Sequence, residues 1–333
     1  MQKNSEELYC FVPGLINAYR QLQDQGSSRF DAIEHFFAKA DTQSHQHEYL
    51  QSLAEIIGVK TSDNQDLPTA AIQANNILSE TNTATWLEAH PVNLLPDRDK
   101  LYLKTLDHEF LGNLNTDAIN EMANQMVKHF NTDFRRVLIT PQGNWLLELD
   151  SPCSLKTHFW QEVVGQHIQG FLPEGKDKIK WRSVMNEMQM FLHMQNAEQY
   201  GFNALWLDGA GSVSSMPEAI GCEFYSDDFL TRSIASYAGK TIYESFESFE
   251  SFLQASENTD KLIYTDNGLV VDYLTQQSSA LNSRLEKLNR LLANAIARLK
   301  KRQLKQITLY GFSGKSYHLK LNSLYRFWRN KKA

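Results

Sequence analysis

The sequence predicts an α/β fold: a mostly parallel sheet flanked by helices, with an inserted α+β subdomain. Three observations predict it. Short apolar runs alternate with stretches of helical periodicity over most of the chain, and such alternation builds strand–helix–strand units whose helices cover both faces of a sheet. The run FNALWLDGAG at 202–211 places an apolar segment directly before Asp-Gly-Ala-Gly, so it reads as a buried strand opening into a tight loop. Between about 96 and 180 the alternation gives way to a helix and a clear hairpin. Residues 1–95 and 181–333 are therefore assigned to a discontinuous core domain, and 96–180 to the insertion.

The elements follow in chain order. Residues 8–12, LYCFV, form a short apolar run before Pro13-Gly14 and read as a buried first strand. Phe30, Ile33, Phe36 and Phe37 share a face at helical spacing, which predicts a helix over 29–40. Further helices are predicted at 47–57 and 68–78, the latter with Pro68 in the first turn. Residues 85–95 read as a strand broken at His90-Pro91, since a residue before proline is pushed away from helix; 101–103 pairs with it across Pro-Asp-Arg-Asp. Thr116 is a plausible N-cap for an amphipathic helix over 116–130. Residues 137–140 and 145–149 flank Pro-Gln-Gly-Asn and predict a hairpin. Helices are predicted at 155–169 and 183–200, the second closed by Gly201. Then come a strand in the 202–211 run, a strand at 222–225, a helix at 227–237 and a strand at 262–265. A single long helix follows over 273–302 with Leu274, Leu281, Leu285, Leu288 and Leu292 as its apolar stripe, and a hairpin at 307–310 and 317–321 ends the fold. Glu-Ser-Phe, three times over at 244–252, predicts an amphipathic helix covering the core.

Composition narrows the class. Of 333 residues 42% are hydrophobic, enough for a real core. No apolar run approaches the ~20 residues of a membrane-spanning helix, and the first residues show no secretory signal. Cys10, Cys153 and Cys222 are odd in number and in no Cys-x-x-Cys pair, which predicts reduced thiols in a cytoplasmic protein and no metal motif. The net charge of −6 is unevenly spread: 284–333 holds fourteen Lys/Arg against Glu286 alone, +13, leaving −19 on the rest. That segment either packs on the acidic body or binds an anionic surface such as nucleic acid; the apolar residues interleaved with it favour packing.

Several motifs fail on spacing. GFSGKS at 311–316 resembles a phosphate loop, but the glycine required five residues before Gly314 is Leu309, and the pattern that follows alternates, so it reads as a hairpin turn. His45-Gln-His47-Glu48 has no third ligand nearby and reads as a solvated helix start. No other histidine pair has metalloprotease spacing, and no serine lies in a nucleophile elbow. Two segments are richer in polar groups than a scaffold needs. One is 90–99, with Asp97, Arg98 and Asp99 after a strand. The other holds Asn186 and Glu187, and its spacing puts Asn186, Gln189, His193 and Asn196 on one helix face. In open α/β sheets ligands bind outside the carboxyl ends of strands. The candidate ligand-binding residues are therefore Asp97, Arg98, Asp99, Asn186, Glu187, Asn196, Asp208, Gly209 and Gly211, with the two polar segments expected to face each other near the Asp-Gly-Ala-Gly loop.

The segments WLEAHPVNLLPDRDKL, WRSVMNEMQMFLHMQNAEQYGFNALWLDGAG and YRFWR resemble a proteobacterial family without an assigned activity, whose members are labelled as similar to cofactor-independent phosphoglycerate mutase or as Rpf-type regulatory proteins. The second segment is also similar to archaeal-type cofactor-independent phosphoglycerate mutases, with Asn196, Gly201, Asn203, Gly209 and Gly211 at the matching positions. The resemblance implies an alkaline-phosphatase-like α/β core with an inserted subdomain. Those mutases hold two metal ions with Asp and His residues and use a serine nucleophile. Their first ligand is an Asp-Gly aspartate after the first strand, where this chain has Pro13-Gly14. Their later Asp/His cluster is matched only by Tyr264-Thr-Asp-Asn-Gly268, which lacks histidine.

With those ligands missing, the resemblance implies a non-catalytic mutase-like protein with a binding or regulatory role, with no catalytic residue and no metal assigned. The alternative is a metal-dependent phosphoryl-transfer or phosphate-ester enzyme with a rearranged site, using Mn or Zn. A second alternative is a nucleic-acid-associated protein acting through the basic C-terminal segment. A small phosphorylated ligand is the candidate partner, nucleic acid the weaker one, and no cofactor is expected for a non-catalytic protein.

Overall fold

The computed structural model describes residues 6–26, 29–44, 49–59, 66–79, 83–106, 116–213, 221–244, 251–252, 261–311 and 314–326. The chain divides into two compact units, one built from 1–59 and 217–333, the other from 60–216. The second unit is wider than the 96–180 insertion expected from the sequence. The reason lies in strand pairing: the strands at Trp86–Asp97 and Ala204–Gly211 pair with each other in a separate sheet.

The first unit holds a seven-stranded sheet. Its strands are β1 (Glu6–Phe11), β2 (Asp41–Ser44), β10 (Cys222–Ser226), β11 (Thr241–Tyr243), β12 (Lys261–Thr265), β13 (Leu304–Tyr310) and β14 (Lys315–Lys320), in the order β11-β10-β12-β1-β13-β14-β2. The first five in that order run parallel; β14 is antiparallel to both its neighbours. Side chains alternate across β1. Leu8, Cys10 and Val12 face a core made with Leu15, Leu22, Ile33, Phe36 and the leucines of the Ser278–Lys300 helix, while Phe11 meets Tyr49 of the Tyr49–Ile57 helix edge to face. Helices thus flank the sheet on both faces. The helix predicted over 273–302 is two helices, Gly268–Leu274 and Ser278–Lys300. Gln276 between them has φ 58°, and a left-handed residue cannot continue a right-handed helix. No glycine or proline announces that break. Within the second helix Leu281, Leu285, Leu288 and Leu292 are buried as the stripe requires.

The second unit is built on β3 (Trp86–Asp97), β4 (Lys100–Lys104), β5 (Phe134–Ile139), β6 (Trp145–Leu149) and β9 (Ala204–Gly211), with a two-stranded ribbon of β7 (Leu155–Lys156) and β8 (Glu174–Gly175). All its ladders are antiparallel. β3 runs unbroken through His90-Pro91. On one edge it pairs with β9; on the other it pairs with β6 over 86–89 and then with β4 over 93–97. Pro91 falls in the gap between those two partners, where a residue lacking N–H costs a ladder least. β9 continues to Gly211, so the expected loop at 208–211 is strand.

The helix predicted at 155–169 is absent, replaced by β7, a helical turn at Trp160–Val163 and a 3-10 turn at Ile168–Gly170. A carboxylate from elsewhere takes a backbone donor such a helix would use, Asp208 accepting from Trp160 N–H at 3.1 Å, and Asp66 holds the chain just before it by accepting from Thr157 N–H at 3.1 Å. Thr116 does cap the Asp117–His129 helix, accepting from Ile119 N–H.

The basic C-terminal segment docks on acids of its own unit. Arg298 pairs with Glu6, Lys305 with Glu7 and Arg326 with Asp41. Phe327 and Trp328, expected to pack on the body, lie outside the described residues, as do His45, His47 and most of the Glu-Ser-Phe repeat. The three cysteines are free. Among the described residues no helix is long and apolar enough to cross a membrane.

Candidate functional site

The carboxyl ends of the parallel strands in the first unit gather a dense set of charges. β10 ends in Ser226, followed by Asp227 and Asp228; β12 ends in Thr265, followed by Asp266 and Asn267. Asp228 caps the Phe229–Tyr237 helix by accepting from Thr231 N–H at 2.9 Å. Asp266 is 1% exposed. It accepts from Arg284 Nη1 at 2.6 Å, from Leu269 N–H at 3.1 Å and from the Tyr264 hydroxyl at 3.2 Å. Arg284 reaches over from the Ser278–Lys300 helix. Its Nη1 also meets Asp227 Oδ2 at 2.8 Å, and its Nε meets Asp272 Oδ2 at 2.6 Å.

Electrostatics follow this geometry. Burial, and then the neighbouring Asp227, push Asp266 above its ordinary 3.8, against the pull of Arg284. Burial works against the charge on Arg284, and Asp266 and Asp227 outweigh it, so the guanidinium stays charged throughout. Lys287 lies over the Tyr225 ring, 4.3 Å from its centroid. Burial lowers its pKa, with Asp227 and Asp266 opposing.

The metal site implied by the mutase resemblance requires carboxylates and imidazoles aimed at a common point in this region. The residues present do not fit. β1 runs into Val12 and Pro13, both buried, with no carboxylate, and the chain turns at Gly14 (φ 77°). Asn267 holds the place beside Asp266, where its amide oxygen accepts from the Tyr49 hydroxyl. The position between Asp227, Asp266 and Asp272 is filled by a guanidinium.

A second constellation lies inside the other unit. Glu88 and His90 are two apart on β3 and so share a face, and Asp208 of β9 stands directly across from Glu88. Their exposures are 0%, 2% and 2%. His90 Nε2 lies 2.9 Å from Asp208 Oδ1 and 3.7 Å from Glu88 Oε1. The Thr69–Leu78 helix covers this face, and its Gln73 donates to Glu88 Oε2 at 2.6 Å. Burial lowers His90, but the charges of Asp208 and Glu88 outweigh it and lift it to about 9. Burial raises Glu88, helped by Asp208 and opposed by His90.

The sequence-predicted site residues separate into two groups. Asp97, Arg98 and Asp99 are exposed at the β3–β4 turn, with Arg98 at φ 55°. Asn186 and Glu187 are exposed on the Lys178–Met194 helix, and Asn196 lies beyond that helix at φ 56°. These six stand in solvent; Asp208 alone of the polar candidates is buried. Gly209 (φ 62°) and Gly211 sit under the start of the Thr69–Leu78 helix, where a Cβ on Gly209 would lie 2.0 Å from Thr69 Oγ1. They serve helix packing. Sequence reasoning missed Glu88, Asp227, Asp272 and Arg284. The signal for Glu88 was present: acidic and basic residues two apart inside an apolar strand share one face. Arg284 carried none, since its partners lie on other elements.

No family model matches the chain, and no curated protein matches it. Among solved structures it is similar to the PH0037 protein from Pyrococcus horikoshii, at 11% identity and TM-score 0.50, covering 95% of this chain and 86% of that one. It is also similar to the cofactor-independent phosphoglycerate mutase from Thermoplasma acidophilum, at 10% identity and TM-score 0.42, covering 94% of this chain and 89% of that one. At such identities the likeness concerns fold alone: a mixed α/β chain with a central, mostly parallel sheet flanked by helices, shared with the Pyrococcus protein along nearly its whole length.

Proposed function

We propose that the chain is a non-catalytic, phosphoglycerate-mutase-like protein with a binding or regulatory role. The observation that carries this reading is Arg284, whose guanidinium is held by Asp227, Asp266 and Asp272 at the carboxyl edge of the parallel sheet. Two-metal phosphoryl transfer needs ions that clamp the attacking and leaving oxygens. With a guanidinium standing among the three carboxylates, no ion is held there to clamp either oxygen. The segments resembling mutase-like and Rpf-type regulatory proteins support the same reading.

The charge at this edge also bears on the partner. Asp227, Asp266 and Asp272 outnumber Arg284 and Lys287, and like charge repels a phosphorylated ligand. A cationic or neutral polar partner suits this edge better. The docking of Arg298, Lys305 and Arg326 on acids of their own unit likewise favours packing over nucleic-acid binding for the basic segment.

The test is direct. The purified protein is supplied with Mn²⁺, Zn²⁺ or Mg²⁺ and assayed with 2-phosphoglycerate, 3-phosphoglycerate and p-nitrophenyl phosphate. The expected result is no turnover above a protein-free control. Metal-dependent turnover that disappears in Asp266→Asn overturns the reading.

A further inference from the structure

We infer that Glu88, His90 and Asp208 form a buried structural zinc site in the second unit. This is the one place among the described residues where three metal-ligating side chains bring ligand atoms within 4.8 Å of one another. The spacing suits the ion. Zinc holds imidazole nitrogen and carboxylate oxygen at about 2.0–2.2 Å, so tetrahedral ligand atoms stand about 3.3 Å apart. Nε2 of His90 lies 2.9 Å from Asp208 Oδ1 and 3.7 Å from Glu88 Oε1, on either side of that value.

The surrounding contacts point the same way. Each carboxylate turns one oxygen toward His90 Nε2 and has the other held by a donor from outside the trio, and Asn144 Nδ2 also donates to the imidazole-facing Oε1 of Glu88 at 3.1 Å. Gln73 Nε2 donates to Glu88 Oε2 at 2.6 Å, and the Trp160 backbone N–H donates to Asp208 Oδ2 at 3.1 Å. Outer-shell partners that fix the unused oxygen are a regular feature of metal sites, because they orient the ligand and hold it ionised.

Charge balance completes the argument. With both carboxylates ionised, as metal ligation requires, the buried trio is net negative even when the imidazole carries a proton. A divalent ion with a neutral imidazole makes the set neutral, which removes the cost of an uncompensated buried charge. Imidazole in the set favours zinc over magnesium, which takes oxygen ligands and keeps several waters. At 0–2% exposure the trio is closed to solvent, so the ion's role would be structural, holding β3 to β9, with a second carboxylate oxygen completing the four donors of a closed site.

The experiment uses the full chain, stripped with a chelator, refolded with or without Zn²⁺ and desalted. Metal content is read by elemental analysis, affinity by competition with a chromophoric chelator, and geometry by visible absorption of the Co²⁺ form. The expected result is about one zinc per chain, a higher Tm in the zinc-loaded protein, a tetrahedral Co²⁺ spectrum and no comparable effect of Mg²⁺. Glu88→Gln and Asp208→Asn should each weaken binding at least ~10-fold, and Gln73→Ala ~10-fold through the outer shell. Circular dichroism checks that each variant is folded; should Glu88→Gln or Asp208→Asn fail to fold, Gln73→Ala is read in its place. Zinc absent from the wild-type chain, zinc bound equally by folded variants, or an equal response to Mg²⁺ overturns the assignment.

Discussion

Arg284 Nη1 donates to Asp266 Oδ1 at 2.6 Å, and Asp266 answers from a position that is 1% exposed. This one contact ties the Ser278–Lys300 helix to the end of β12. The same guanidinium holds Asp227 and Asp272, so its removal leaves three carboxylates facing one another. Stripping one partner from a buried ion pair costs about 3–5 kcal/mol. The Arg284 side chain is 26% exposed, so Arg284→Met should cost about 3 kcal/mol, the lower end of that range. Arg284→Lys keeps the charge but loses the planar fork and should recover only part of the loss. Urea unfolding measures both; a cost under about 1 kcal/mol for Arg284→Met means the carboxylates relax into solvent.

The raised pKa of Asp266 fixes the sign of a pH dependence. The folded state holds this proton after the unfolded chain, near 3.8, has released it. The group's contribution is therefore fully present below about 3.8 and is lost as pH rises through the folded value, each tenfold difference in proton affinity being worth about 1.4 kcal/mol. Asp266→Asn mimics the protonated form and lacks this slope. Its stability relative to wild type should improve from pH 4 to about pH 6, the folded value, and level off above it. A difference that stays flat over that interval in urea titrations contradicts the assignment.

Gly209 is placed where two demands meet. At φ 62° it occupies the left-handed region, and a Cβ there would lie 2.0 Å from Thr69 Oγ1 and 3.3 Å from Thr69 Cβ. The backbone term alone costs a non-glycine residue about 1–2 kcal/mol. Gly209→Ala should therefore cost more than about 2 kcal/mol in all. Adding Thr69→Ala removes the closest clash and should restore part of the loss, leaving the backbone term. Complete rescue by the double variant, read from Tm, would show that the left-handed conformation carries no cost here.

The sheets were legible where sequence pattern and partner agree. LYCFV, FNALWL and the leucine stripe of the Ser278–Lys300 helix each bury the face that their spacing requires, while Leu274, expected in the same stripe, is half-buried on the preceding helix. Errors fell where a distant side chain overrode local pattern. Asp66 and Asp208 take the backbone donors at Thr157 and Trp160, and no periodicity in 155–169 reveals it. Gln276 turns left-handed without being glycine. The unit boundary escaped notice because β3 and β9 resemble core strands in composition yet pair with each other. At the candidate sites the sequence displayed polar residues that prove to be solvent-facing, such as Asp97 and Asn186. Arg284 and Asp227, fifty-seven positions apart, meet only through the fold.

The placement of β1 has a consequence for how this chain is made. Its two neighbours are β12 and β13, so that Cys10 lies between Tyr264 and Leu309. As the chain leaves the ribosome, the first strand emerges long before either flank exists. The unit at 60–216, by contrast, is continuous and has all its strands in hand before β12 or β13 is made. Domains generally fold as units during synthesis, so the earliest strand is among the last to find its place. Until then LYCFV is an exposed apolar segment with both edges open, the kind of stretch chaperones guard. Proteins truncated before residue 304 would leave it permanently half-paired.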